Sequence, residues 1–270
     1  MTGQEAVERI HQEAWIGREP GLSRITKLLS MVGDPHKALK FVHITGTNGK
    51  GSTAAMTASI LAAAGLRVGL YTSPHLWRFH ERFQVSGQPI PDEALGRIGE
   101  RVILAGRQMD DPATEFELMT AVGMEFFLEE QCDIVVLEVG MGGALDSTNI
   151  IDTPEAAVIM AMGLDHVKEL GPTMADIASA KAGIIKFGGD VVIYGGNPEA
   201  DPVFEQVCQE KGARLHKADF SAIVPGPFDL DGQSFSYGGW QDLRIPLVGV
   251  YQMRNAAVVL ETVKVLRNKG

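Results

Sequence analysis

The stretch from Lys40 to Leu76, KFVHITGTNGKGSTAAMTASILAAAGLRVGLYTSPHL, constrains this chain more than any other. Phe41 to Ile44 is a β-branched and aromatic run of the kind that forms a buried strand. A glycine-rich turn follows, Gly46-Thr47-Asn48-Gly49-Lys50-Gly51-Ser52. An alanine-rich helical segment, Ala54 to Ala64, comes next and is ended by Gly65. Arg67 to Tyr71 reads as a second strand, which completes a βαβ unit. The turn inside that unit is an anion site. Glycines let successive N–H groups point inward, the helix N-terminus adds its dipole, and Lys50 supplies a full positive charge. The spacing is not the standard phosphate loop, whose first glycine would fall at Ile44. Gly51 also follows the lysine, so the magnesium-holding hydroxyl is displaced to Ser52. The competing reading is a glycine turn that caps a helix, with Lys50 in solvent.

With 270 residues, 45% of them hydrophobic, the chain can bury a sizeable core as one large or two small domains. A net charge of −10 argues against a general nucleic-acid binder, so attraction for anionic ligands must be local. The two cysteines, Cys132 and Cys208, are far apart and have no metal-spaced partner, as expected of reduced thiols in a cytosolic protein. The N-terminus is charged throughout and unlike a signal peptide, and no apolar run approaches membrane-spanning length. The expectation is a soluble, cytoplasmic protein.

Residues 1–38 carry a helical pattern, with Leu22, Ile25, Leu28, Leu29 and Val32 on one face before Gly33-Asp34-Pro35 breaks it. Thr72-Ser73-Pro74-His75 follows the second strand at the sheet edge where ligands bind in open α/β folds; His75 is either a contact there or a plain surface histidine. Arg82 to Val85 and Gln88 to Ile90 flank Ser86-Gly87 as a small hairpin. Helices are expected from Asp92 to Met109 and from Phe116 to Glu130. Asp133 to Glu138 is an apolar strand ending in a carboxylate, a Walker-B arrangement when it stands beside a phosphate loop, where the acid can hold Mg²⁺. Ala156 to Met160 is a further strand and leads to His166. Lys50, Ser52, Glu138 and His166 are therefore expected at one sheet edge. A helix from Met174 to about Lys186 places Lys181 in the apolar stripe of Met174, Ile177, Ile184 and Ile185. That lysine snorkels to water, pairs with an acid, or is a buried, neutral amine. Val191 to Tyr194 is a strand, Pro202 to Lys211 a helix, Phe228 to Val248 a small antiparallel sheet, and Tyr251 to Arg267 a last helix.

GTNGKGS at 46–52, TSPHL at 72–76, ERFQVSG at 81–87, LEVGMGGALDSTN at 137–149, GLDHVKELGPT at 163–173, KAGIIK at 181–186 and YQMRNAA at 251–257 occur in a characteristic order. Together they resemble the folylpolyglutamate synthase/dihydrofolate synthase family, the folate branch of the Mur ligase superfamily. The resemblance implies an α/β fold of P-loop type, a mostly parallel sheet flanked by helices, with a small antiparallel β section near the C-terminus. Residues 1–270 would be one Mur-ligase-type ATP-binding domain: a helical lead-in at 1–38, a P-loop core at 39–217, and a β section with the terminal helix at 218–270. It further implies an ATP-dependent ligase that adds L-glutamate to folate, dihydropteroate or both through an acyl phosphate; the chain, if complete, is expected to be a monomer.

On the matching positions, Gly46, Thr47, Asn48, Gly49, Lys50, Gly51 and Ser52 would hold the ATP phosphates. Ser52 and Glu138 would hold one Mg²⁺ and His166 a second. Lys181 would carry a CO₂-derived carbamate that orders metal and γ-phosphate. Gln252 and Asn255 would lie near the adenine, and His75 and Asp146 near the acceptor. The chain departs from the family pattern at Ala144 (usually arginine), Ala180 (usually glutamate), Tyr251 (usually histidine) and His80 (usually asparagine). Nothing in the sequence corresponds to the family's C-terminal glutamate-binding domain, so the expectation for residues 1–270 is ATP binding without ligation. Two other classes stay open: a P-loop phosphotransferase or NTPase of another kind, and a non-catalytic nucleotide- or pterin-binding module.

Overall fold

Every residue from Phe41 to Thr45 is buried, and a strand with no solvent-facing side belongs in the middle of a covered sheet. The computed structural model, which describes residues 1–12 and 20–270, puts it there; the part of the helical lead-in at 13–19 lies outside the described residues. In chain order the elements are α1 (Gly3–His11), α2 (Ser23–Met31), β1 (Phe41–Thr45), α3 (Lys50–Ala63), β2 (Val68–Tyr71), β3 (Phe83–Val85), β4 (Gln88–Pro89), α4 (Asp92–Arg107), α5 (Glu115–Glu129), β5 (Ile134–Glu138), β6 (Ala156–Ile159), α6 (Val167–Leu170), α7 (Met174–Ala182), β7 (Asp190–Ile193), α8 (Asp201–Glu210), β8 (Arg214–Lys217), β9 (Ile223–Asp229), β10 (Gly232–Tyr237), β11 (Trp240–Ile245) and α9 (Val250–Lys269).

The main sheet has eight strands in the order β4-β3-β2-β5-β1-β6-β7-β8. From β2 to β8 across the sheet all neighbours are parallel, and β3 and β4 add an antiparallel edge. The chain leaves β1 toward β2 on one side, and β5 is followed by β6 on the other. That reversal opens a crevice at the carboxyl ends of β1, β5 and β6.

Side chains alternate between the two faces of the sheet, and each face has its own core. Val42, Ile44, Val136 and Val158 pack with Ala54 and Ala58 of α3 and Val258 and Val265 of α9. On the opposite face Phe41, Tyr71, Val135 and Leu137 meet α2, α4 and α5 through Leu28, Ile98 and Phe127. Farther along that face Ala157, Ile159, Val191 and Ile193 meet Ala178 of α7 and Phe204 of α8. α9 also covers the three-stranded sheet β11-β10-β9 through Met253 and Leu260, so the terminal helix joins the small sheet to the main one.

The fold is the expected one, with local differences. α7 ends at Ala182 instead of near Lys186, because Gly183, Ile184 and Ile185 tighten into i→i−3 bonds to Ala180, Lys181 and Ala182. Ile184 and Ile185 stay buried in that turn. β8, with the sequence RLHK, was not expected as a strand; it is an edge strand with exposed and half-buried positions and lacks the apolar alternation that announces one.

Phe127 is fully buried, and its ring occupies the space beside Gly69, where a Cβ would come within 2.8 Å of it. Phe127→Ala is expected to lower unfolding stability by about 3–5 kcal/mol. Urea denaturation checks this; a loss below about 1 kcal/mol would mean that the α5–sheet contact is not a principal core.

Candidate functional site

The crevice at the strand ends is built first by glycines. A Cβ on Gly46 would stand 2.6 Å from the Met160 Cβ, so no larger residue lets β1 run this close to the end of β6. Gly49 has φ +85 and precedes α3; a Cβ there would meet Asn255 Oδ1 at 2.7 Å. Thr47 and Asn48 N–H donate to the Ala161 carbonyl at 2.9 and 3.2 Å, and Thr47 Oγ1 is bonded to both the N–H and the carbonyl of Gly163. These bonds fix the front of the loop. No side chain caps the start of α3 among the described residues. The N–H groups of its first turn, from Lys50 to Ser52, therefore face the crevice with the positive end of the helix dipole behind them.

Two lysines converge on one acceptor. Lys50 Nζ donates to the Gly46 carbonyl at 3.0 Å, and Lys181 Nζ donates to the same oxygen at 2.9 Å. Lys181 is buried on α7 beside Ile177 and Ala182 and does not reach water by snorkelling. Burial, with Lys50 as the next cause, pulls its ammonium down to about 8, with Asp165 and Asp146 opposing.

Glu138 ends β5 opposite Ile44 of β1 and is buried. Its Oε2 accepts from Ser73 N–H at 3.1 Å, and Gly51 lies directly beside it: a Cβ there would be 3.7 Å from that oxygen. Burial pushes the carboxyl up to about 7, with the Ser73 bond, Lys50 and Arg82 opposing. A buried carboxylate short of cationic compensation, next to the first turn of α3, suits a divalent cation. No cluster of three or more His, Cys, Asp or Glu occurs among the described residues. Mg²⁺ is commonly held by one or two carboxylates and completed by phosphate oxygens and water, and the buried Glu138 could supply one such carboxylate. His166 is exposed, adopts φ +49 before α6, and its Nε2 lies 3.7 Å from an Asp165 carboxylate oxygen.

Beside the loop opens a cleft of ≈ 680 Å³, lined by Ser73, Pro74, Arg82, Phe116, Asp146 and Ala180 among others. Phe116 is held over Gly140, where a Cβ would be 2.5 Å from its ring, and stands edge-on to Tyr71. Arg24 and Glu117 form a buried ion pair at 3.1 Å on the far wall. Asp146 accepts from Met141 N–H at 2.9 Å and from Thr148 N–H at 3.0 Å; burial raises its carboxyl while these bonds lower it. His75 is not among the lining residues. Its Nδ1 accepts from Arg82 Nε at 3.0 Å, and burial and Arg82 hold the imidazole below its ordinary value. Gln252 bonds Asn255, which is buried against Gly49, so both adenine-side candidates stand behind the phosphate loop. The departures at Ala144 and Ala180 are neighbours: Ala144 N–H donates to the Ala180 carbonyl at 2.8 Å. Arg82 and Phe116 received no role from the sequence. Arg82 stands in the quoted ERF run, whereas Phe116 offers only an aromatic at the start of a helix.

The sequence matches the family described as Mur ligase middle domain over residues 44–263. The chain belongs to the Mur ligase family. Relatives of this Mur ligase chain include folylpolyglutamate synthase from Lacticaseibacillus casei, 42% identical over 98% of this chain and 64% of the relative. Dihydrofolate synthase/folylpolyglutamate synthase from Bacillus subtilis is 37% identical over 94% of this chain and 61% of the relative. A solved structure described as an FPGS–AMPPCP–folate complex superposes with a TM-score of 0.94 at 40% identity, covering 100% of this chain and 68% of that one. The chain thus spans less than two thirds of the length of these curated relatives.

A carboxyl with a pKa near 7 when folded, against an ordinary 4.5, takes up a proton on folding between those values, so stability falls as pH rises through that window. Glu138→Gln removes this cost. At pH 8 the ligand-free variant is expected to be more stable than the parent by roughly 1–3 kcal/mol, with the gain vanishing toward the ordinary carboxyl pKa. Its nucleotide affinity should no longer respond to Mg²⁺. Thermal melts over pH and titrations with and without Mg²⁺ check both; an unchanged Mg²⁺ response removes Glu138 from the metal.

Proposed function

We propose that this chain is the ATP-binding part of a ligase that joins L-glutamate to a folate or to dihydropteroate. One observation carries the reading. The uncapped start of α3, with Lys50 and the buried Glu138, opens at the same sheet edge as the cleft holding Phe116, Arg82 and Asp146. A phosphate donor and a flat carboxylate acceptor are thus received side by side. The names of the relatives agree with that chemistry.

A carboxylate is a poor electrophile, since resonance and charge protect its carbon. In the proposed reaction an acceptor carboxylate oxygen attacks the γ-phosphorus and ADP leaves, giving an acyl phosphate. The glutamate amine then attacks the acyl carbon, phosphate leaves, and the amine proton passes to solvent. Lys50 and the N–H groups of the α3 start would hold the phosphates, and Ser52 and Glu138 would hold Mg²⁺, which would supply positive charge against that developing on the transferred phosphate. Gln252 and Asn255 would face the adenine, His166 would serve a second Mg²⁺, and Phe116 offers a ring face to a flat heterocycle. For Lys181, burial favours the neutral amine that CO₂ attack requires, and a carbamate there would replace one of two facing ammonium groups with an anion. The buried free thiols Cys132 and Cys208 support a reducing, cytoplasmic setting.

The protein containing this chain is expected to make glutamylated product from dihydropteroate or folate with Mg·ATP and labelled glutamate. ATP turnover should depend on the acceptor. Lys50→Ala is expected to weaken ATP binding roughly 10- to 100-fold by calorimetry with the fold intact. ATP hydrolysis indifferent to every pterin acceptor, with no product, would replace this reading with that of another NTPase. Growth in ¹³C-bicarbonate tests Lys181: a carbamate carbon resonance that disappears in Lys181→Arg is expected, and its absence removes the carbamate.

A further inference from the structure

Two arginines line the cleft, and they differ in their partners. Arg24 is paired with Glu117 and with Asp111, each at 3.1 Å. Arg82 is equally buried, with 8% of its surface exposed, yet among the described residues no carboxylate lies within ion-pair distance of it. Its Nε donates to His75 Nδ1 at 3.0 Å, and its guanidinium carbon stands 5.6 Å from the centre of the Phe79 ring. Because Nε can only donate, His75 Nδ1 is the acceptor and that imidazole carries its proton on Nε2. The terminal nitrogens Nη1 and Nη2 bond no protein group among the described residues, and neither is sealed from open space. The space beside them is the cleft. A guanidinium cannot shed its proton, so a buried one without a counter-ion marks a place where an anion is received.

We infer that Arg82 receives the acceptor's carboxylate end-on through Nη1 and Nη2, and so selects acceptors that carry one. The inference rests on reading the cleft as the acceptor site and names the group that recognises the reacting end. With Nε held by His75, the edge left over is the pair of parallel N–H groups that fits the two oxygens of one carboxylate. The acids of the cleft wall do not answer this charge. Glu117 is bonded to Arg24, Glu115 to His11, and Asp146 to the Met141 and Thr148 amides. The backbone sets Arg82 next to the phosphate end of the site. Thr72 N–H donates to the Arg82 carbonyl at 3.1 Å, and the following N–H, that of Ser73, donates to Glu138 at 3.1 Å. A heterocycle without a carboxylate leaves the buried guanidinium unpaired and is disfavoured by that cost.

Calorimetry on the protein containing this chain tests the assignment with three ligands: dihydropteroate, its decarboxylated analogue (the same pterin ending in aniline) and AMP-PCP. The parent is expected to bind dihydropteroate roughly 10- to 100-fold more tightly than the decarboxylated analogue. Arg82→Gln should cut that preference to within about three-fold and leave the decarboxylated analogue and AMP-PCP within about three-fold of the parent. Arg82→Lys keeps the charge without the fork, and its preference should fall between the two. Equal losses of both pterins in Arg82→Gln would make Arg82 a packing residue on Phe79 and overturn the inference. A parent that does not distinguish the two pterins would overturn it as well, while leaving the cleft as a pterin site. If Arg82→Gln does not fold, Arg82→Lys decides, and the parent's full preference in that variant overturns the fork. A parent that binds AMP-PCP but neither pterin overturns the acceptor reading, and the role of Arg82 with it.

Discussion

Two ammonium groups donating to one backbone carbonyl organise this site. Gly46 O receives both Lys50 and Lys181, which come from opposite sides of the crevice. A carbonyl has lone pairs for two donors but only a partial charge, so two cations at this range are under-compensated. The site is therefore built for anions before any arrives. The arrangement depends on Gly46 having no side chain against Met160, on the tie from Thr47 and Asn48 to Ala161, and on the apolar packing of α7 that buries Lys181.

The sheet brings the rest to that point. β1 carries the loop, β5 beside it delivers Glu138 in register with Ile44, and β6 on the other side delivers the Ala161–Gly163 segment. Parallel strands share one carboxyl edge, so three separate stretches of sequence reach one crevice without any long loop. The cleft next to it uses the same edge, with walls from the ends of β2 and β5 and the starts of α5 and α2.

What was legible in the sequence was whatever is local. The βαβ unit, the strand ending in Glu138 and the Ser86-Gly87 hairpin could be read directly. Both turn residues of that hairpin have positive φ, the conformation a two-residue connection requires. The small antiparallel sheet was legible from its glycines and β-like period. Long-range matters were hidden. Arg82 and Phe116 become neighbours of one cleft only after folding, and Asn255 meets Gly49 across the whole chain. His75 stood in a suggestive loop, yet Arg82 takes its ring nitrogen. β8 was invisible because an exposed edge strand needs no apolar alternation. Ala144 and Ala180 could be named as separate departures, but their contact belongs to the fold: the two positions, far apart in the chain, are joined by a backbone hydrogen bond.

The bond from Ser73 N–H to Glu138 has a thermodynamic consequence. Ser73 begins the loop that lines the cleft, and Glu138 is the carboxylate beside the start of α3. The strength of that single bond depends on the charge Glu138 bears and on what else draws on its oxygens. A cation that engages the carboxylate changes the hold on Ser73, and a ligand that shifts Ser73 changes the environment of the carboxylate. By linkage the two effects are equal in free energy. In the proposed reaction, a metal-bound nucleotide at Glu138 and an occupant of the cleft beside Ser73 would therefore change each other's affinity by the same factor, through one amide proton.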